Sequence, residues 1–182
     1  MRNGQLAPYR SRVLAGAEGR VLEIGVGSGP NLPFYPSEAA DIIGLEPHVK
    51  LRAMATRSGF RVLPGSAEAI PLERASVDTV VTTWTLCSIA GVDAALAEMR
   101  RVLRPSGKLL FVEHGLCPNA DVQRWQHRLT PIWKCVAGGC HLDRDIPALI
   151  RTAGFDVGKL ETSQIPGPKP MTFIYEGWAR PL

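Results

Sequence analysis

Short runs of apolar residues, bounded by turn-forming residues, recur along much of the chain. These runs are rich in β-branched residues or leucine and are continuous rather than alternating, which is typical of strands covered on both faces. The pattern predicts five strands, over residues 20–25, 40–46, 61–65, 77–84 and 107–114. Because segments with helical periodicity separate the strands, we expect an α/β fold with a mostly parallel sheet.

The segments between these strands indicate helices over residues 47–59, 93–103, 121–136 and 144–153. The third of them contains Pro131, which removes a backbone N–H, so we expect the helix to be kinked or split there. Its apolar residues fall roughly on one side, namely Val122, Trp125, Leu129, Ile132, Trp133 and Val136. We expect Trp125 and Trp133 in the core, with a place in the wall of the substrate pocket as the alternative.

The last part of the chain has a different pattern. Residues 156–165 and 171–180 are both strand-like, and only the stretch "PGPKP" lies between them. Such a short link favours an antiparallel pair. With 182 residues, no internal repeat and no change of composition, the chain is expected to form one domain over residues 1–182.

Composition and charge limit the classes of protein to which the chain can belong. Apolar residues make up 45% of the chain, no run reaches the length of a membrane span, and "MRNGQLAPYRSR" lacks the apolar core of a secretory signal, so we expect a cytoplasmic protein. The net charge of +4 is modest and scattered, and no nucleic-acid partner is expected. The four cysteines have no regular spacing, so no metal site is expected either.

The stretch "VLEIGVGSGPN", residues 21–31, is the main candidate for ligand binding. It predicts a strand, a glycine loop and a helix that lead to the second strand, which Glu46 closes. A carboxylate there can accept hydrogen bonds from ribose hydroxyls. A dinucleotide fingerprint would need glycine at position 30, where Pro30 removes an N–H that a pyrophosphate would use. A cofactor without phosphate groups is therefore favoured.

Four stretches in this order resemble the motifs of class I S-adenosylmethionine-dependent methyltransferases: "EIGVGSG", "GLEP", "GSAEAIPL" and "LAEMRRVLRPSGKLLFVEH". The resemblance implies a Rossmann-like fold with a seven-stranded sheet, strand order 3-2-1-4-5-7-6 and an antiparallel C-terminal strand. It implies S-adenosyl-L-methionine as cofactor and S-adenosyl-L-homocysteine as product. The residues it assigns to cofactor binding are Glu23, Gly25, Gly27, Gly29, Asn31, Glu46, Pro47, Ser66, Ala67, Glu68, Thr83 and Leu86. Ser66 stands where these enzymes usually have aspartate.

A narrower resemblance rests on "GPNLPFYP", "TLCSI", "VEHG" and "AGGCHLDRDI". Together these stretches resemble small methyltransferase-like proteins whose animal members are alkyl thiol methyltransferases. The resemblance implies a small, fairly apolar acceptor, with a thiol as first choice and a phenol, quinone or lipid headgroup as alternatives. A non-catalytic module that binds the cofactor and a nicotinamide-dependent dehydrogenase are the alternatives of other classes.

Candidate catalytic residues lie where parallel strands end, since ligands of α/β folds bind at that edge. Glu113 and His114 end the fifth strand, and His141 lies in the later "GGCHLDR" loop. Both histidines are candidate bases for an acceptor thiol, whose reference pKa of about 8.5 makes only modest assistance necessary. Glu113 is a candidate for either chemistry or support of a neighbouring loop.

Overall fold

The computed structural model describes residues 3–182 and forms one seven-stranded sheet flanked by helices. The strands are β1 (Gly19–Ile24), β2 (Ala39–Leu45), β3 (Arg61–Leu63), β4 (Val77–Thr83), β5 (Leu103–His114), β6 (Phe155–Gln164) and β7 (Phe173–Pro181). The helices are α1 (Asn3–Leu14), α2 (Val49–Arg57), α3 (Val92–Val102), α4 (Ala120–Val136), α5 (Ile146–Thr152) and α6 (Lys169–Thr172).

The strand order is β3-β2-β1-β4-β5-β7-β6, as the family resemblance implies. Strands β1 to β5 pair in parallel, whereas β7 is antiparallel to both of its neighbours, β5 and β6. The predicted α/β class, the parallel majority and the antiparallel C-terminal pair are therefore confirmed. Because β1 and β4 are adjacent while the chain runs outward from each, the order of the sheet reverses between them, where α/β folds bind ligands.

The sheet is covered on both faces by apolar side chains. On one face, Leu22 and Val80 pack against α3 and α5, in a core that includes Leu96, Met99 and Ile150. On the other face, alternate strand residues pack against α1. The apolar period from residue 93 to 103 thus marks a buried helix face, as predicted.

Helix α1 has no counterpart in the sequence prediction. Its apolar residues are few, and it has a proline inside it, Pro8. It nevertheless buries Leu6, Val13 and Leu14 against the sheet. Among residues 3–182, none of the helices is both long enough and apolar enough to cross a membrane.

The helix predicted between the glycine loop and β2 is absent from the described chain; a short 3-10 helix, Leu32–Phe34, takes its place. Pro30, Pro33 and Pro36 lie within seven residues, and each lacks the N–H that an α-helix would use. A proline also disfavours helical conformation in the residue before it. The link from β1 to β2 is consequently short and mostly irregular.

Helix α4 departs from its prediction in two ways. It runs unbroken through Pro131, so the predicted split is wrong. The expected core position of Trp125 is also wrong, because this side chain is 56% exposed, and Ile132 and Val136 of the same row are 68% and 74% exposed. Only the inner part of that row, which includes Leu129 and Trp133, packs against the loops behind it. The residues that α4 buries most fully are polar, Gln126 and Thr130.

Candidate functional site

A cavity of about 390 Å³ opens at the carboxyl ends of β1, β2 and β4. It lies where the order of the sheet reverses, and its size suits a small organic ligand. A larger cavity of about 610 Å³ includes Ala75, Leu103 and Arg101 in its lining, beside the amino ends of β4 and β5. Since α/β folds bind ligands at the carboxyl ends of their strands, the smaller cavity is the candidate site.

The glycine loop forms one wall of this cavity through its backbone. Gly25 has a φ of +64°, and a Cβ atom at that position would lie 2.6 Å from Thr85 Cγ2. Glycine is therefore required there for both conformation and space. Gly27 has a φ of +58°, but the nearest atom to its added Cβ lies 4.0 Å away. The loop thus leaves backbone open to a ligand at Gly27.

Glu46 follows β2 directly and faces the glycine loop. Its carboxylate accepts the N–H of Gly27 at Oε2 and the N–H of His48 at Oε1, both at 2.9 Å. The residue is only 4% exposed, yet it lines the cavity. Each carboxylate oxygen can accept a second hydrogen bond, so the group fits the ribose-binding role that the sequence predicts.

Residues 66–68 form a further part of the wall. The Ser66 hydroxyl donates to the Glu68 carboxylate, which also accepts the N–H of Gly91 at 3.0 Å. These two bonds, chiefly that from Ser66, lower the pKa of Glu68 below its ordinary value. Glu68 thus stays ionised and ties this segment to the start of α3. Ser66 and Glu68 leave hydrogen-bonding groups at the cavity although the family's usual aspartate is absent.

Three residues assigned to the cofactor lie behind the glycine loop instead of lining the cavity. Asn31 Nδ2 donates to Glu23 Oε1 at 2.9 Å and to Thr83 Oγ1 at 3.0 Å. The second Glu23 oxygen accepts the Tyr35 hydroxyl at 2.7 Å. Burial raises the pKa of Glu23 to about 7, although these bonds and the Arg10 charge oppose the shift. This cluster joins β1, β4 and the residues after the glycine loop, and thereby braces the loop.

Helix α1 reaches the site through Arg10, which is 7% exposed. The guanidinium donates to Asn31 Oδ1 and lies over the Trp84 ring, 4.9 Å from its centroid. Trp84 lines the cavity and has a φ of +53°, which is rare for a bulky residue. Such strained conformations persist only where the surroundings hold them. The sequence did not predict Arg10 and Trp84 as site residues, because α1 was not predicted and none of the motifs includes them.

Glu113 supports the loop that follows β4. It is completely buried, and its two carboxylate oxygens accept the N–H groups of Thr85 at 3.0 Å and Cys87 at 3.3 Å. Burial raises the pKa of Glu113 to about 7, while these backbone bonds oppose the rise. With both oxygens engaged, the residue fits the supporting role that the sequence left open.

His114 lies next to two cysteines. Its Nδ1 is 3.9 Å from Cys140 Sγ, and His114, Cys140 and Cys87 are all buried. The contacts from Cys87 and His114 lower the pKa of Cys140 to about 5, against the effect of burial. The sequence did not predict this association, because the four cysteines have no regular spacing.

His141 lies in the loop between α4 and α5. Its backbone N–H donates to the Cys87 carbonyl at 2.7 Å, and its Nδ1 is 3.8 Å from Asp143 Oδ1. Burial, assisted by Arg144 and Lys134, lowers the pKa of the ring. Gly139, with a φ of +87°, lets this loop approach Ser88, whose carbonyl would lie 3.1 Å from an added Cβ.

The structure brings together part of the predicted site in the cavity wall. The predicted residues that line it are Gly25, Gly27, Glu46, Pro47, Ser66, Ala67 and Glu68. The predicted residues that lie outside its lining are Glu23, Gly29, Asn31, Thr83, Leu86, Glu113, His114 and His141. Lining residues outside the predicted set include His48, Leu51, Trp84, Thr85, Ser88, Ile89 and Gly138. The signals for Thr85, Ser88, Ile89 and Gly138 were the stretches "TLCSI" and "AGGCHLDRDI", on which the narrower resemblance rests.

Comparison with known proteins shows which family the chain belongs to. The methyltransferase domain family matches residues 22–111. Human thiol S-methyltransferase TMT1B is 35% identical over 177 residues, which cover 90% of this chain and 70% of that protein. Human thiol S-methyltransferase TMT1A is 30% identical, with 84% of this chain and 67% of that protein covered.

A crystal structure from Thermotoga maritima supports the fold. That protein is described as an S-adenosylmethionine-dependent methyltransferase, possible histamine N-methyltransferase, and it is 22% identical with a TM-score of 0.73. The match covers 98% of this chain and 90% of that one. The site also fits this cofactor. The glycine loop has no obstructing side chain and suits the methionine part, and the anchored Glu46 carboxylate suits the ribose part. The chain therefore belongs to the S-adenosylmethionine-dependent methyltransferases, in the family that includes TMT1A and TMT1B.

Proposed function

We propose that this methyltransferase methylates the sulfur of a small, fairly apolar thiol. The observation that carries the proposal is the composition of the cavity wall beyond the predicted cofactor residues. Within this part, the segment after β4 and the loop after α4 form the acceptor wall, which consists of Trp84, Thr85, Ser88, Ile89, Ala90 and Gly138. The names of the human relatives, both thiol S-methyltransferases, point to the same acceptor class.

None of the six residues of the acceptor wall has a titratable side chain; the titratable lining residues Glu46, His48 and Glu68 belong to the segments after β2 and β3. A phenol, with a reference pKa near 10, needs a base to become a good nucleophile at neutral pH, whereas a thiol near 8.5 already supplies a few per cent of thiolate. The wall therefore favours a thiol over a phenol or quinol. Its Trp84 and Ile89 side chains suit an apolar substituent on the sulfur.

On the other side of the cavity, the chain's residues hold the cofactor. Bound S-adenosylmethionine supplies an electrophilic methyl group on a positively charged sulfur. Gly25 and Gly27 offer backbone to the methionine part, Glu46 accepts from the ribose hydroxyls, and the 66–68 segment flanks the adenine. Glu23, Asn31 and Thr83 keep the glycine loop in place through the bonds behind it.

The residues around the acceptor wall have separate proposed roles. Glu113 is a positioning residue, because it fixes the backbone of Thr85 and Cys87. His141, in the loop that carries Gly138, is the remaining candidate to accept the proton of the thiol. His114 contacts Cys140, away from the lining of the cavity.

The acceptor is tested by incubating the protein with S-adenosylmethionine labelled in its methyl group and with a panel of acceptors. The panel contains 1-propanethiol, a simple phenol, a reduced quinone and a phosphatidylethanolamine vesicle, and products are read by mass spectrometry. We expect labelled methyl propyl sulfide. Label found only in the phenol, quinone or lipid would overturn the thiol assignment. No label in any product, together with stabilisation by S-adenosylhomocysteine, would favour a non-catalytic binding module.

The same assay tests His141. We expect His141→Ala to lower kcat for the thiol about 100-fold, at the lower end of the range for single acid–base groups. His127→Ala is the matched control, since His127 Nδ1 lies 3.2 Å from the same Asp143 carboxylate but is exposed on α4. Equal rates in the two variants would remove His141 from the mechanism.

We further infer that residues 1–182 act as a single methyltransferase domain in the cytoplasm, on a small-molecule acceptor and without a nucleic-acid partner. All four cysteines are free, which suits a reducing compartment. Localisation of a fluorescently tagged chain tests the compartment.

A further inference from the structure

Three side chains that the cofactor site does not use converge beside the acceptor wall. Cys87 lies in the loop after β4, His114 ends β5, and Cys140 lies in the loop after α4. The two sulfur atoms and a ring nitrogen of His114 all lie within 4.8 Å of one another. The residues are 1%, 5% and 6% exposed, respectively. We call these three residues the Cys–His cluster.

The surrounding backbone holds the Cys–His cluster in place from several sides. Glu113 accepts the N–H of Cys87, and the Cys87 carbonyl accepts the N–H of His141. Arg144 donates to the carbonyl of Leu86, which ties the second loop to the first. The loops that carry Cys87 and Cys140 are therefore held in place by hydrogen bonds that do not use the sulfur or imidazole atoms of the cluster.

The polar atoms of the Cys–His cluster are poorly satisfied. His114 Nε2 is buried and has no hydrogen-bond partner among residues 3–182. The contact of Nδ1 with Cys140 Sγ, at 3.9 Å, is long. Nδ1 has no partner nearer than this sulfur among residues 3–182, and a buried polar group without a close partner calls for an ion, a water or a functional reason.

We propose that the Cys–His cluster is a zinc site, with Cys87, His114 and Cys140 as the three protein ligands. Thiolate and imidazole are ligands that zinc prefers, whereas magnesium and calcium need oxygen. Two cysteines and one histidine form a known zinc ligand set with a fourth position left for water or another ligand.

The distances are compatible with zinc after small movements. With Zn–S near 2.3 Å and Zn–N near 2.0 Å, a tetrahedral site separates sulfur from nitrogen by roughly 3.6 Å and sulfur from sulfur by roughly 3.8 Å. The observed 3.9 Å between Cys140 Sγ and His114 Nδ1 is a few tenths of an ångström longer. The other two pairs of ligand atoms lie within 4.8 Å, so the cysteine side chains would have to move toward the metal by up to about 1 Å.

The position of the cluster links it to the cavity. Cys87 immediately precedes Ser88, and Cys140 lies two residues after Gly138; Ser88 and Gly138 both line the acceptor wall. A metal there would fix the two loops that form this wall. The zinc site stands independently of which acceptor the enzyme methylates.

Zinc uptake by the full chain tests the site directly. The reduced protein is dialysed against micromolar zinc chloride and its metal content is measured by mass spectrometry. We expect about one zinc ion per chain in the wild type, and none above background in Cys87→Ser, Cys140→Ser and His114→Ala. Cys135→Ser and Cys117→Ser are matched controls, because Cys135 is exposed and neither cysteine belongs to the cluster.

Two further measurements separate loss of metal from loss of fold. Every variant must still be stabilised by S-adenosylhomocysteine, while zinc itself must raise the Tm of the wild type and of the control variants only. If Cys87→Ser is unfolded, Cys140→Ser and cobalt substitution of the wild type carry the test, because cobalt bound to thiolate gives a near-ultraviolet charge-transfer band.

The proposal is overturned if folded wild-type protein takes up no more zinc than a folded Cys87→Ser/Cys140→Ser variant. It is also overturned if the protein, metal-free in reductant, instead forms a Cys87–Cys140 disulfide on oxidation. That outcome is recognised by the loss of two hydrogens in a cross-linked peptide.

Discussion

The proposed cofactor side of the cavity and its proposed acceptor side are built differently. On the cofactor side, backbone and carboxylate groups come from short segments that directly follow β1, β2 and β3. On the acceptor side, the loop after β4 meets a loop that begins almost fifty residues later, after α4. The first side depends on local conformation and the second on tertiary contacts. Substitutions should therefore act mainly on cofactor affinity at the first side, and on folding and acceptor turnover at the second.

The largest effect is expected for Gly25→Ala on the cofactor side. The added Cβ would lie 2.6 Å from Thr85 Cγ2 in a backbone with φ of +64°. Together the clash and the left-handed conformation cost roughly 3 kcal/mol, and a loop that relaxes away from this conformation must regain it on binding, which lowers affinity by up to about 100-fold. Calorimetric titration with S-adenosylhomocysteine measures it. Gly27→Ala has a similar φ and free space around the added Cβ, so its affinity for S-adenosylhomocysteine should fall only about tenfold. Equal losses of affinity in the two variants would show that the contact with Thr85 is not the cause.

The next effect is a pH dependence of stability that originates at Glu23. Burial raises its pKa to about 7 in the folded state, beside the Arg10 charge and the Tyr35 hydroxyl. The folded state therefore holds this proton more tightly than the unfolded state does. The associated stability is complete below about pH 4.5 and is lost as pH rises through 7.

Glu23→Gln removes this titration and keeps partners for Asn31 and Tyr35. Relative to wild type, the variant should gain about 2–3 kcal/mol of unfolding free energy between pH 5 and pH 8. Urea unfolding at both pH values measures the difference. A constant gap between the two proteins across that range would show that Glu23 does not hold its proton in the folded state.

Glu113→Gln tests the acceptor side. The amide offers one oxygen in place of two, so a buried N–H of Thr85 or Cys87 loses its acceptor. We expect a loss of about 2 kcal/mol in stability and a raised KM for the acceptor, with affinity for S-adenosylhomocysteine nearly unchanged. Glu176→Gln, on the neighbouring β7, should cost less than about 1 kcal/mol, because its partner Arg12 is half-exposed. A lower affinity of Glu113→Gln for S-adenosylhomocysteine would show that the two sides of the cavity do not respond independently to substitution.

Glu46→Gln is expected to weaken S-adenosylhomocysteine binding about tenfold, since a charged acceptor contributes roughly 1.5 kcal/mol or more to its hydrogen bonds. The acceptor KM should stay the same. Glu38→Gln, an exposed carboxylate just before β2, is the control. Unchanged cofactor affinity in Glu46→Gln would contradict its ribose role.

The smallest effect is expected for Trp125→Ala on α4. Because the side chain is 56% exposed, its removal should change the free energy of unfolding by less than about 0.5 kcal/mol. Trp133→Ala, which packs against Cys140 and Leu142, should cost distinctly more. A large loss of unfolding free energy in Trp125→Ala would show that this side chain is buried in solution, as the sequence predicted.

The sequence predicted the sheet because apolar runs and turn residues are local signals, and family motifs supplied the strand order. It predicted Gly25, Gly27 and Glu46 in the cavity wall for the same reason, since a loop and a strand end determine them. It missed Arg10 and Trp84, whose contact joins α1 to the end of β4. It missed the Cys–His cluster as well, because its members lie 26 or more residues apart.

The placement of β7 between β5 and β6 has a consequence for folding during synthesis. Until Phe173–Pro181 has left the ribosome, β5 has no partner on one side, and β6 has no place in the sheet. A nascent chain that has already formed β1 to β5 would thus carry an open strand edge, which is a template for pairing with other chains. Nascent chains arrested with residues 173–181 still inside the ribosome should therefore aggregate more than chains that have been released.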